Sequence, residues 1–294
     1  MRRMKRLIAV SLILILAFSL TGLNELAVHA AQEQGLLDCR NKFISLTVDK
    51  STGRFGISTV EGAPGRDKDQ NALLLFTGEK PESSYTTFRI DGEDFIFGND
   101  YGFLSSGGGL TQAPVQKGDS VQTIWRKGDI EVEQLLTLPT DPDNQDIGNV
   151  KVTYSVTNKG KKNITVGSRF LFDTKLGSND GAPLILPGMD KPLEYEISLD
   201  DDKVPDYWQA ADNDAGPEVI SFGLVNGWGN EKPDRFVAAH WQGISETKWD
   251  YLTDSTLKFT SPYNPYDIND SAVALYWNPE GLLPGETRVY ETYY

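Results

Sequence analysis

The alternation of apolar and polar residues predicts a chain built from short β-strands. In residues 150–157 (VKVTYSVT) every second side chain is apolar, and residues 164–172 (ITVGSRFLF) again place apolar side chains on one face. A period of two is typical of a strand with one buried face. Asn158-Lys159-Gly160 supplies turn chemistry between the runs, because glycine tolerates a positive φ. The sequence therefore predicts a β-hairpin that ends at Asp173 and lies in the middle of a large antiparallel sandwich.

Similar strand–turn–strand units precede this segment. Residues 43–57 turn at Ser51-Thr52-Gly53, residues 86–97 turn at Asp91-Gly92, and residues 121–138 turn at residues 127–129. Asp-Gly is a preferred type I′ hairpin turn. Many short strands separated by turn residues indicate a sandwich or barrel.

The pattern changes after Asp180. Residues 181–235 are rich in Gly, Pro, Asp and Asn, and Pro205–Ala211 predicts one short helical turn. Residues 272–277 and 287–294 then predict two closing strands. No amphipathic helical run of ten residues is visible in the mature sequence. The predicted class is all-β, a large antiparallel β-sandwich (supersandwich).

The predicted organisation is a signal segment followed by one sandwich domain. Residues 1–30 form the signal helix, residues 31–294 the domain, and an alternative sub-boundary lies near residues 183–214. Arg2, Arg3, Lys5 and Arg6 precede an apolar run over residues 7–20, and Val28-His29-Ala30 fits a cleavage site.

Export to the cell envelope or medium is therefore expected. The alternative is an uncleaved anchor, although the apolar run is shorter than the about 20 residues that span a membrane. No stable membrane span is expected after cleavage.

The net charge limits the expected partners of this chain, and its cysteine content limits its disulfides. The net charge of the whole chain is −14, and without residues 1–30, which hold four basic and one acidic residue, it becomes −17. Such a chain repels phosphate backbones, so nucleic acid is not an expected partner. Cys39 is the single cysteine, which excludes an internal disulfide and predicts a buried thiol. This composition is typical of a bacterial exported protein.

Three stretches resemble the galactose-mutarotase-like sandwich, a fold of sugar-active and sugar-binding proteins. They are the mid-chain VKVTYSVTNKG…ITVGSRF segment, Gly53-Arg54-Phe55, and Leu283-Pro284-Gly285-Glu286-Thr287 before the last strand. The resemblance implies a β supersandwich and a carbohydrate ligand. Mutarotases of this fold use a histidine pair with a glutamate, whereas only His240 remains here beyond residue 30. No mutarotase catalytic residue is therefore transferred.

Aromatic residues of the C-terminal third are the predicted ligand-binding set. Aromatic rings stack on the apolar faces of sugars, and polar side chains bind the hydroxyls. The predicted ligand-binding residues are Trp228, Trp241, Trp249, Tyr251 and Arg235. Core packing is the alternative role of such aromatics, and for Trp277, on an apolar strand, it is the favoured one.

Asp173, Asp180 and His240 are the candidate catalytic residues. A carboxylate at a strand end, with Asp180 seven residues on, also makes Asp173 and Asp180 candidate ligands for a hard cation such as Ca²⁺. The favoured alternative is that both bond their own loops, as Asx residues do. The acidic run Asp200-Asp201-Asp202 lacks EF-hand spacing and is interpreted as a solvated loop. No cofactor is expected other than this cation.

Three functions remain open on these observations. The first is an exported non-catalytic protein that binds carbohydrate or cell-envelope polymer. The second is a carbohydrate-active enzyme, an epimerase or glycoside hydrolase, that uses Asp173 or Asp180 with His240 or a tyrosine. The third is a structural spacer or assembly module. A concave cleft lined by aromatics and carboxylates together would favour a ligand-binding role over a spacer.

Overall fold

A computed structural model describes residues 35–60, 71–141, 143, 147–213, 215–226, 231–261 and 268–294. The predicted all-β class is confirmed, while residues 1–30, with the predicted signal, lie outside the described part. The strands are β1 Leu36–Arg40, β2 Ile44–Asp49, β3 Phe55–Thr59, β4 Tyr85–Ile90, β5 Glu93–Ile96, β6 Gly109–Lys117, β7 Ser120–Lys127, β8 Ile130–Thr137, β9 Lys151–Asn158, β10 Ile164–Thr174, β11 Leu184–Ile185, β12 Ile197–Asp200, β13 Tyr207–Ala211, β14 Ile220–Leu224, β15 Arg235–His240, β16 Ser271–Leu282 and β17 Thr287–Tyr293. The described helices are a 3-10 turn, Asp201–Lys203, and α1, Trp241–Ser245.

The strands form two large antiparallel sheets and one small one. The eight-stranded sheet has the order β11-β13-β14-β17-β9-β8-β7-β6, and the six-stranded sheet has the order β12-β15-β16-β10-β4-β5. Strands β1, β2 and β3 form the third sheet. Tyr154 on β9 packs against Phe170 on β10 with ring centroids 5.0 Å apart, so the two large sheets share one core as a sandwich.

The tight turns between neighbouring strands follow the sequence. Strands β4 and β5 pair through Asp91-Gly92, and both residues have a positive φ, 49° and 85°, as a type I′ turn requires. Strands β2 and β3 pair around Gly53, whose φ is 74°, and strands β7 and β8 pair through Gly128-Asp129. These three hairpin predictions are confirmed.

The predicted hairpin over residues 150–172 is wrong in its pairing. Both strands exist, but β9 pairs with β8 and β17, whereas β10 pairs with β4 and β16. The residues between them cross from one sheet to the other. Asn158 holds this crossing, because its side-chain amide donates to the carbonyls of Lys162 and Leu282 at 2.8 and 3.0 Å. Period-two alternation reports a buried face and does not identify the partner strand.

The predicted helical turn at Pro205–Ala211 is also wrong. Residues 207–211 form β13, which pairs with β11 and β14. Trp208 of this strand is buried in the core, and cross-strand packing there outweighs the local preference.

Strand β10 is buried on both faces, and this places the site described below. Phe170 and Phe172 point into the sandwich core, while Leu171 belongs to a second cluster on the outer side of the six-stranded sheet. Ile244 of α1 and Trp249 cover that outer side. Trp277 and Cys39 are both buried, as predicted. Within the described residues, no helix has the length and hydropathy to cross a membrane.

Candidate functional site

Asp173 lies at the end of β10, where the six-stranded sheet meets a cavity. Its backbone N–H donates to Ser84 Oγ at 3.0 Å, and its carbonyl accepts from Phe76 N–H at 3.0 Å. The side chain is 3% exposed. The strand thus fixes a buried carboxyl group at its end.

A tight turn brings Asp180 back beside Asp173. Leu176 and Asn179 exchange two backbone hydrogen bonds, and Gly177 between them has a φ of 59°. The Asp180 carbonyl accepts from the backbone N–H of Ser271 at 2.8 Å, which ties this loop to the start of β16. Lys175 pairs with Asp180 at 2.9 Å between Nζ and Oδ2.

Asp270 completes the cluster from a third segment. It directly precedes β16, and β16 runs antiparallel to β10, so the end of one strand adjoins the start of the other. One carboxylate oxygen from each of Asp173, Asp180 and Asp270 lies within 4.8 Å of the other two. We call these three residues the aspartate cluster.

Two carboxyl groups of the aspartate cluster have pKa values above those of carboxylates on a protein surface. Burial raises the pKa of Asp173 and of Asp270 above the ordinary range, the charge of Asp180 raises both further, and Asp173 also raises the pKa of Asp270. The charge of Lys175 opposes this rise. In each of the three aspartates Oδ1 is buried and has no partner of good hydrogen-bond geometry among the described residues.

The aspartate cluster lines a cavity of about 430 Å³ together with aromatic side chains. Tyr101, Phe103 and Trp241 face the same space, and Phe103 is 81% exposed. Trp241 is held by its indole N–H, which donates to the Ser83 carbonyl at 3.2 Å. A concave space lined by both aromatics and carboxylates is therefore present.

Arg54 supplies a buried cation to another part of the cavity wall. Its guanidinium lies over the rings of Tyr85 and Tyr101, 5.4 and 5.1 Å from their centroids, and Nη1 donates to the Glu82 carbonyl. Nε and Nη2 are buried without a hydrogen-bond partner in the described part of the chain. Burial lowers the pKa of Arg54, but an arginine stays charged at neutral pH.

His240 directly precedes the cavity residue Trp241, but both of its ring nitrogens contact backbone groups of the protein. It caps α1: its Nδ1 accepts from the Gln242 N–H at 3.3 Å, while Nε2 lies 2.9 Å from the Ile268 carbonyl. The side chain is fully buried. This geometry makes His240 a positioning residue for Ile268, which lines the cavity.

Three of the predicted ligand-binding residues lie together beside Tyr276. Trp249 packs edge-on against Tyr276 at 5.7 Å, and Arg235 lies 4.9 Å from the same ring. Arg235 also donates to the Tyr251 carbonyl at 2.7 Å. Tyr251 donates to Glu196 Oε1 at 2.7 Å. Trp228 lies outside the described residues.

Sequence reasoning named Asp173, Asp180 and Trp241 and missed Asp270 and Arg54. Asp270 stands directly before the strongest C-terminal strand pattern, so a correct pairing of that strand with β10 would have found it. Arg54 follows the Ser51-Thr52-Gly53 turn, and no local pattern marks it. Chemically, the cavity wall can accept hydrogen bonds from hydroxyls, stack on apolar faces and hold a hard cation.

Comparison with known proteins gives fold-level likeness only. No protein-family model matches the chain, and no curated protein sequence matches it. A galactose mutarotase related enzyme from Lactobacillus acidophilus is 11% identical over 88% of this chain and 96% of its own, with a TM-score of 0.43. A galactose mutarotase-like protein from Lactobacillus casei is 10% identical over 88% and 98%, with a TM-score of 0.40. A Synechocystis protein is 10% identical over 88% and 94%, with a TM-score of 0.47.

Nothing about activity follows from identities this low.

Proposed function

We propose that this protein binds a saccharide in the cavity of the aspartate cluster. The observation that carries the proposal is that aromatic faces and carboxylates with unpaired oxygens line one concave space. A saccharide presents apolar ring faces and hydroxyl donors at once, so it matches both kinds of wall. The cavity of about 430 Å³ also falls in the usual range of small-molecule sites, about 300–1,000 Å³.

Other ligand classes fit this wall less well. An apolar ligand would cover the unpaired oxygens of Asp173 and Asp270 without bonding them, and burying unsatisfied polar groups is unfavourable. In the cation-free cluster a phosphate-rich ligand would meet three acidic groups, whose ionised forms repel it. Neutral polyhydroxylated rings avoid both penalties.

Arg54 adds hydrogen-bond donors to the cavity wall, and these donors bear on the orientation of a bound sugar. Its unpaired N–H groups can donate to ring or hydroxyl oxygens, whereas the aspartates accept from hydroxyl hydrogens. Donors and acceptors on different parts of the wall favour one orientation of a bound sugar.

The test is binding to a printed glycan array, followed by titration of the best-binding glycan into each variant. Trp241→Ala and Phe103→Ala remove cavity rings, and Leu252→Ala is the control, because Leu252 is 93% exposed and belongs to no cavity wall described above. Each cavity variant should bind at least about fivefold more weakly, since one aromatic contact is worth on the order of 1 kcal/mol. Phe103→Ala keeps the test valid if the Trp241 variant is unstable.

Two results would contradict the proposal. One is a wild-type protein that binds no glycan on the array. The other is an affinity that neither cavity substitution changes, which would place any saccharide site elsewhere on the molecule.

We also propose export, on the pattern of residues 1–30 alone. Amino-terminal sequencing of protein recovered from the envelope or medium of the producing cells should start close after Ala30. A chain that retains Met1 and stays in the cytoplasm would contradict it.

A further inference from the structure

We propose that Asp173, Asp180 and Asp270 together bind one divalent cation, Ca²⁺ by the nature of the donors. Each aspartate presents a buried Oδ1 without a partner of good hydrogen-bond geometry among the described residues. The candidate ligand oxygens lie within 4.8 Å of one another. An ion with Ca–O distances of about 2.3–2.6 Å can bridge oxygens separated by up to about 5 Å.

The charge of the cluster matches a divalent ion. Three carboxylates stand together with one ammonium group, that of Lys175, paired to Asp180 at 2.9 Å. When all three aspartates are ionised, two negative charges remain uncompensated inside the cluster. Asp173 and Asp270 are 3% and 5% exposed, and buried charges without partners are strongly unfavourable. One divalent cation would neutralise the cluster.

Ser83 supplies a further oxygen donor that is not a carboxylate. Its side chain is 4% exposed, lines the same cavity, and its Oγ has no partner of good hydrogen-bond geometry within the described residues. The Ser83 hydroxyl lies close enough to the Asp173 carboxyl to lower its pKa, so this hydroxyl is directed toward the cluster. A neutral buried oxygen next to three carboxylate oxygens is a donor set for a hard cation.

The chemical identity of the ligand atoms favours a hard cation over zinc or copper. Only oxygen atoms are offered, and nitrogen or sulfur ligands, which zinc and copper prefer, are absent from the described cluster. The aspartates come from three separate segments, namely β10, the loop after it and the residue before β16. Ca²⁺ tolerates such irregular oxygen geometry better than Mg²⁺, which requires a near-ideal octahedron.

The test is isothermal titration of CaCl₂ into full-length protein that has been treated with EDTA and dialysed. Wild type should bind one ion per chain, and Ca²⁺ should raise the melting temperature of the chelated protein. Asp270→Asn and Asp180→Asn should bind at least about tenfold more weakly, because each removes a ligand charge. The matched control is Asp201→Asn, the same change in the acidic run at residues 200–202; it should bind like wild type.

Three outcomes would overturn the proposal. Wild type that shows no Ca²⁺ heat and no rise in melting temperature would mean that protons neutralise the cluster. Unchanged binding in both Asp270→Asn and Asp180→Asn would place the ion elsewhere. Loss of binding in Asp201→Asn alone would assign the ion to the acidic run. Circular dichroism of each variant separates weak binding from misfolding, and Asp180→Asn, at the more exposed position, serves if Asp270→Asn does not fold.

Discussion

At the end of β10, Asp173 has a structural role through its backbone and a chemical role through its carboxyl group, and the two make opposite demands on its surroundings. Asp173 continues a buried strand through its backbone bonds to Ser84 and Phe76, yet it carries a carboxyl group that is 3% exposed. Burial raises the pKa of Asp173 for this reason. A buried carboxyl oxygen without a hydrogen-bond partner is unfavourable, which makes Asp173 a candidate for binding a ligand.

Cys39 gives a prediction at the same scale. Its thiol is 3% exposed, and burial together with the charge of Asp119 raises its pKa. Since the thiolate is the reactive form, native protein should react with a disulfide reagent such as DTNB far more slowly than protein unfolded in urea. Release of thionitrobenzoate over time measures both rates. Equal rates in the two states would show that Cys39 is accessible.

Residue-level reasoning from the sequence reached part of the site. Asp173 and Asp180 follow from a strand that ends in a polar, glycine-containing loop, and that pattern is local. Asp270 joins them only through the pairing of β16 with β10, which connects residues almost one hundred positions apart. Arg54 enters through packing against Tyr85 and Tyr101, and no local pattern encodes this contact.

At the scale of elements, β16 carries a bulge opposite Gly167 of β10. The register of β10 against β16 shifts between Val166 and Ser168. A Cβ at Gly167 would lie 2.6 Å from the Trp277 carbonyl oxygen and 2.7 Å from the Pro279 nitrogen. Both are backbone atoms that cannot move aside without disturbing the sheet.

Gly167→Ala should therefore lower the free energy of unfolding by about 2 kcal/mol or more, as overpacking against rigid neighbours does. Gly281→Ala is the matched control, because a Cβ there meets nothing within 4 Å. Urea unfolding of the two variants measures the difference. A stability of Gly167→Ala equal to that of Gly281→Ala would contradict the bulge geometry.

Element prediction from the sequence succeeded where the signal was local and failed where the partner was distant. The Asp91-Gly92 turn specifies its own hairpin, since both residues adopt the positive φ that a type I′ turn needs. Asn158-Lys159-Gly160 looks similar but carries the chain between sheets, and the long-range bond from Asn158 to Leu282 decides the crossing.

At the scale of the whole molecule, the two large sheets depend on each other. The crossings from β9 to β10 and from β16 to β17 connect them, and Tyr154, Phe170 and Trp277 pack in one core. A split near residues 183–214 would instead give units that unfold separately. We expect one calorimetric transition, with the van't Hoff enthalpy equal to the calorimetric enthalpy. Two resolved transitions would contradict this expectation.

The central claim is that the cavity of the aspartate cluster is the saccharide site. Its most direct test is a crystal structure of the protein soaked with the best-binding glycan of the array. Difference density for a sugar ring should appear beside Trp241 and Phe103, with its hydroxyls toward Asp173 and Asp270. A sugar bound on another face, with this cavity empty of it, would contradict the account.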